Sequence, residues 1–272
     1  MSNYIKSDYK IDLAGGENAV LLIHGLTGSP FEMKYLARKL NAAGFTVKGP
    51  CLAGHGKTLA DLRKTTWQDW YQTVHETFTD LKKNYKSVSV SGLCMGTLLA
   101  ICLAAEHGDE VTALSLLSTT FFYDGWSLPW YKFLLPISYY PPFRYIYSYK
   151  EREPYGIKNK NMRERIVESM RDDSIAYPSI PSESMHEFYK LVKKVKMIMP
   201  KAKSPALILH SLEDDMASVR NADFVENNIG SVDIRKVLVD DSYHMLTIDN
   251  QKHLVAQETV DFFKKYVEQK CL

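Results

Sequence analysis

Apolar positions along the chain fall into two rhythms. Short aliphatic runs without charge, "VLLIH" (20–24), "SVSVSG" (87–92), "VTALSLLS" (111–118) and "ALILHS" (206–211), read as strands buried on both faces. "FTVKG" (45–49) and "VDIRKVLVD" (232–240), which carry charges, read as further strands. Between them, apolar residues recur every three or four positions. Trp67, Trp70, Tyr71, Val74, Phe78 and Leu81 form one such stripe, and "HLVAQETVDFFKKYVEQK" (253–270) carries another. Further helices are expected over "FEMKYLARKLNAAG" (31–44), "GTLLAICLAAEHG" (96–108) and residues 218–228. Ser29, Pro30 and Glu32 have the spacing of a capping box with a first-turn proline, opening the 31–44 helix. Gly44 ends it. Strand and helix alternate, so the expected fold is α/β, a mostly parallel sheet with helices on both faces.

That rhythm stops between Phe121 and Pro200. Residues 121–149 hold thirteen aromatics and four prolines. The chain therefore reads as one core, 1–120 with 201–272, interrupted by an aromatic-rich insertion at 121–200, longer than ordinary connections. Within the insertion and just past it, "FYKLVKKVKMIMPKAK" (188–203) places Phe188, Leu191, Val192, Val195 and Ile198 on one helical face and lysines on the other. A docked helix with a solvated basic face is expected; attraction to a phosphorylated carrier or an anionic lipid surface is the alternative.

Composition narrows the function without choosing it. Of 272 residues, 45% are hydrophobic, enough for a large core, and the net charge of +2 gives no field suited to nucleic acid. No run approaches the length of a membrane span, and "MSNYIKSDYKIDL" has no secretory pattern. Cys51, Cys94, Cys102 and Cys271 lack any paired spacing, so neither a disulfide framework nor a zinc site is expected and a reduced cytoplasm is the default. No cofactor or metal is implied, and oligomeric state is not legible.

The chemistry centres on "VSGLCMGTLLA" (90–100). A strand, then Gly92-x-Cys94-x-Gly96, then a helix is the spelling of a nucleophile elbow. The glycines admit a sharp turn, and the helix start sets backbone N–H groups beside the sulfur, favouring thiolate. A nucleophile on such a turn needs an acid and then a histidine later in the chain. "LILHSLEDDM" supplies Asp214 after one strand, and "DSYHML" supplies His244 after the next. The two lie one strand–helix–strand unit apart and reach the sheet edge of Cys94. Asp214 is preferred to Asp215, because the hydrophobic Met216 two places on suggests the loop position facing the histidine. An oxyanion hole is expected from the backbone N–H groups of Met95 and Leu26, the latter in "HGLTG" (24–28). Cys102, Cys51, the Met95 side chain, His24, His55 and His210 read as structural.

These segments resemble the α/β-hydrolase superfamily, in its bacterial carboxylesterase and monoacylglycerol-lipase-like branch. The likeness covers roughly residues 15–120 and 200–268, and "GLCMGT" stands where the branch has G-L-S-M-G-G. Resemblance assigns Cys94 the serine's role, His244 the base, Asp214 the acid, and Leu26 and Met95 the oxyanion donors. It implies a small acyl ester or thioester substrate, and the insertion takes the position of a cap whose aromatic rings would wall the cleft. Thr97 replaces a usual glycine. Cys94 replaces the serine, and three readings stay open: a cysteine enzyme of acyl transfer or thioesters, a cysteine hydrolase, and a serine esterase in which serine was exchanged. A non-catalytic binding protein on the same fold is the competing class.

Overall fold

Strands buried on both faces need helices on both faces, and the computed structural model has that arrangement. It describes residues 9–170, 177 and 179–270; Cys271 and the first eight residues lie outside these. The strands are β1 (Ile11–Leu13), β2 (Asn18–Ile23), β3 (Thr46–Gly49), β4 (Ser87–Leu93), β5 (Val111–Leu117), β6 (Ser148–Lys150), β7 (Ser179–Pro181), β8 (Ala206–Ser211) and β9 (Ile234–Val239). Seven form one sheet in the order β1-β3-β2-β4-β5-β8-β9, parallel except for β1. Side chains alternate across it. Ala19, Leu21 and Ile23 of β2 enter one core layer, Val20 and Leu22 the other.

The helices are α1 (Lys34–Ala42), α2 (Leu59–Arg63), α3 (Trp67–Asn84), α4 (Met95–His107), α5 (Phe143–Ile146), α6 (Lys160–Met170), α7 (Ser182–Ile198), α8 (Arg220–Asn228) and α9 (Lys252–Lys270). Leu36 and Leu40 of α1 join Phe263 of α9 in one layer. Trp70 and Phe78 of α3, Leu98 of α4 and Val225 of α8 lie in the other. Because β2, β4, β5, β8 and β9 run parallel, the loops leaving their C-terminal ends emerge along a single edge. Among the described residues no helix is long and apolar enough to cross a membrane.

The structure differs from the sequence reading in local detail. Ser29 caps nothing with its side chain; residues Pro30–Met33 make a 3₁₀ turn, and α1 starts only at Lys34. Glu32 is drawn away because its carboxylate accepts the Gly25 N–H at 2.5 Å. A tertiary partner has displaced the local one. Helix α7 begins six residues before its expected start, with Phe188, Leu191, Val192 and Val195 buried. Between 121 and 200 a two-stranded antiparallel pair, β6–β7, was not legible, since three-residue strands carry no alternation.

The aromatic segment also departs from expectation. Trp130 is 81% exposed and Tyr140 70%, and Trp126, Phe133, Phe143 and Tyr145 are exposed with them. These rings lie on the outer surface instead of walling the cleft. Tyr139 turns inward against Tyr189 and His186.

Candidate active site

Cys94 sits between β4 and α4 with φ 53°, a left-handed conformation that a non-glycine residue adopts only when its surroundings dictate it. A Cβ on Gly92 would overlap the Gly96 carbonyl, and one on Gly96 the Ile23 carbonyl, so both positions require glycine. The turn is tied to the sheet by Cys94 N–H to Leu117 O (2.9 Å). Thr97, in place of a glycine, donates its hydroxyl to Cys94 O at 2.6 Å and so supports the start of α4.

Asp214 and His244 leave β8 and the loop after β9 and meet in the interior. Their side chains are almost fully buried, with His244 Nδ1 2.8 Å from Asp214 Oδ2. Asp214 Oδ1 accepts the N–H groups of Met216 (2.9 Å) and Ala217 (2.8 Å), which fixes the carboxylate plane. Burial opposes charge on both groups, yet each offsets it for the other. The Asp214 carboxylate, aided by the charge of Cys94, holds the His244 proton well above the ordinary histidine range, and His244 pulls Asp214 below its usual range. Asp215 points elsewhere. Its Oδ2 accepts Gly156 N–H at 3.2 Å, and burial raises its proton affinity.

Sulfur and imidazole share one cavity, and a hydrogen bond with Cys94 is among the influences that raise the proton affinity of His244. Cys94 Sγ also lies 3.4 Å from Thr120 Oγ1. The Thr120 hydroxyl donates to Ser118 O at 3.1 Å, so it meets the thiol as an acceptor. Ser118, at φ 47°, donates to the His244 carbonyl at 2.6 Å. Neither "STT" residue was singled out from sequence, where a polar run after a strand looks like any loop.

The turn after β2 is held from several sides. His24 accepts Leu52 N–H on Nε2 (3.1 Å), so its Nδ1 carries hydrogen and donates to Gly25 O (2.8 Å). His55 Nε2 lies 2.8 Å from Leu26 O. Burial depresses the proton affinity of both rings, keeping them neutral and structural, as expected of them. His210 bonds Ala217 O at 2.7 Å and is structural too. Cys102 is core, its thiol pushed up to about 12 by burial, and Cys51 is half-buried. Leu26 lines the cavity; the Met95 side chain is packed in the core.

Two acids that sequence reasoning missed flank this turn. Glu32, 5% exposed, accepts Gly25 N–H, and burial pushes it up to about 7. Glu151, from the 121–200 segment, accepts the Thr27 hydroxyl at 3.2 Å and is also pushed up to about 7 by burial. Both line the cavity with Cys94 and His244, and among the described residues its lining includes no lysine or arginine. The remaining wall is apolar: Phe31, Tyr123, Ile157, Ile166, Ile180 and Ile248. Glu32 was hidden by a local pattern that reads equally well as a helix cap.

Comparison with known proteins places this geometry. A family model described as "Serine aminopeptidase, S33" matches residues 16–251. A thermostable monoacylglycerol lipase of Bacillus sp. (strain H-257) is 30% identical over 262 residues, covering 92% of both chains. A carboxylesterase of Bacillus subtilis (strain 168) is 25% identical, covering 92% of this chain and 94% of its own. Among solved structures, that of a metagenome-derived lipolytic enzyme superposes with a TM-score of 0.82 at 26% identity, over 94% of this chain and 97% of that one. The chain therefore belongs to the serine aminopeptidase S33 (Hydrolase_4) family and is an esterase- and lipase-like enzyme of the α/β-hydrolase superfamily.

Proposed function

We propose that this enzyme hydrolyses hydrophobic carboxylic esters, thioesters among them, through an acyl-Cys94 intermediate. The observation that carries the reading is Cys94 on its strained turn, opening onto the same cavity as an imidazole paired with Asp214 at 2.8 Å. His244 takes the thiol proton as Cys94 Sγ attacks the ester carbonyl carbon, and the oxyanion formed is met by the N–H groups of Leu26 and Met95. As the C–O bond to the alcohol breaks, His244 donates its proton to the leaving oxygen. Water then attacks the thioester, His244 takes its proton, and the C–S bond breaks to restore the sulfur. A second small nucleophile in the cavity takes the acyl group by the same route, since a thioester transfers readily. Asp214 orients the ring throughout. The apolar wall suits an acyl chain, and the segment 121–200, acting as a cap, supplies Tyr123, Ile157, Ile166 and Ile180 to it.

The direct test is intact-mass analysis after brief exposure to p-nitrophenyl butyrate. One butyryl group on Cys94 is expected; unmodified protein that still turns over substrate would refute the covalent route. Chain-length dependence checks the cap. Ile180→Ala should lower kcat/KM for a decanoate ester by roughly tenfold and leave the acetate ester unchanged. Trp130→Ala, on the exposed surface, should move neither.

Glu32 is read as a positioning residue for the Gly25–Leu26 peptide. Glu32→Ala strands the Gly25 N–H and should slow acylation by about 10²-fold with little change in KM. Glu32→Gln still offers a carbonyl oxygen and should recover most of that rate. A glutamine variant as slow as alanine would assign the effect to the carboxyl's proton or charge instead.

A further inference from the structure

The far end of α4 carries a second set of chemically capable side chains, remote in sequence from Cys94. Glu106 and His107 are its last two residues, and His75 of α3 faces them. One potential ligand atom from each of His75, Glu106 and His107 lies within 4.8 Å of the other two. His75 Nε2 is 3.7 Å from Glu106 Oε1, and the two imidazoles are 5.1 Å apart between ring centres.

The surroundings prepare these groups for a ligand. His107 Nδ1 is engaged by Glu110 at 3.0 Å, which leaves Nε2 as its donor atom. That Nε2 is buried and makes no hydrogen bond among the described residues. Tyr71, one turn before His75, donates its hydroxyl to Glu106 Oε2 at 2.5 Å and leaves Oε1 toward His75. A carboxylate behind one imidazole and a hydroxyl behind the carboxylate are the outer partners that fix ligand orientation in metal sites. The C-terminal carbonyls of α4 add partial negative charge.

We propose that His75, Glu106 and His107 bind a first-row divalent transition metal, with Zn²⁺ the best match. Two borderline imidazoles beside one carboxylate favour zinc over magnesium or calcium, which take all-oxygen shells. Ligands at about 2.1 Å around a tetrahedral zinc stand about 3.4 Å apart. Side-chain rotations of roughly 1 Å therefore close the site and leave a fourth position for water. The ion would join α3 to α4 at the surface, roughly 18 Å along the α4 axis from the nucleophile turn.

The test uses the full chain carrying Cys94→Ala, so that zinc on the active-site thiol is excluded, stripped with chelator and titrated with ZnCl₂ by calorimetry. One zinc per chain with micromolar affinity is expected, with a rise of several degrees in melting temperature at saturating metal. MgCl₂ at millimolar concentration should give no heat and no shift. His75→Ala, a partly exposed position, should weaken zinc binding by about 100-fold, and Glu110→Gln by about tenfold through the orientation of His107. Absence of binding at 100-micromolar zinc (about that order, well above the expected range) would overturn the proposal, as would equal affinity in the His75→Ala protein. Should His107→Ala fail to fold, the His75 and Glu110 variants decide the matter alone.

Discussion

Cys94→Ala is expected to abolish the acyl adduct and to lower turnover of p-nitrophenyl butyrate by at least about 10³-fold. Among the described residues no other cysteine lines the cavity. Cys94→Ser is the more informative companion, and its readout is the imidazole. In the parent, Asp214 and Cys94 both raise the proton affinity of His244 against the opposing effect of burial. A serine hydroxyl is neutral across the working pH range and removes one of them. The His244 pKa, followed by NMR of the ring, should therefore fall in the serine variant, and His244 should lose its proton at lower pH. An unchanged titration would mean that the sulfur does not act on the ring.

Asp214→Asn is expected to cost about 10³–10⁴-fold in kcat while leaving the fold intact. The asparagine can still accept the N–H groups of Met216 and Ala217, so the loop has its local bonds. What changes is the face turned to His244. An amide in place of the carboxylate removes the largest favourable charge on the ring, and an NH₂ toward Nδ1 selects the tautomer that places hydrogen on the wrong nitrogen. The acid limb of the pH–rate profile should move to lower pH in the same variant, because the imidazolium is less stabilised. Asp215→Asn is the control, since Asp215 bonds Gly156 and not the imidazole; a comparable loss there would reverse the assignment.

Much of this site was legible because its parts sit at strand ends, where sequence patterns are strongest. Gly92, Cys94 and Gly96 announce themselves by steric need, Asp214 follows an aliphatic run that reads as a buried strand, and His244 follows a further strand that is only partly buried. The missed residues share a different property, in that tertiary contact alone gives them meaning. Glu32 occupied a position whose local chemistry already had an explanation, and only the fold brings Gly25 within its reach. Thr120 and Ser118 follow β5, a strand whose end carries none of Cys94, Asp214 and His244. The aromatic segment misled for a related reason: its composition suited a cavity wall, but of its rings Tyr123 lines the cavity while Trp126, Trp130 and Tyr140 are exposed, and Ile157, Ile166 and Ile180 complete the wall. Hydrophobicity specifies that a ring resists water, and not which surface it turns from it.

Asp249 shows how far the histidine loop depends on its neighbours. Its two carboxylate oxygens accept four backbone N–H groups, those of Lys158, Asn159 and Asn250 and that of Tyr243, the residue before His244. One buried side chain thus staples the inserted stretch and the imidazole-bearing loop to a common point. Exchanging the insertion for that of a relative is therefore not a modular operation: a graft that fails to present two amides at this junction would loosen the loop that carries His244, whatever pocket it offered the substrate.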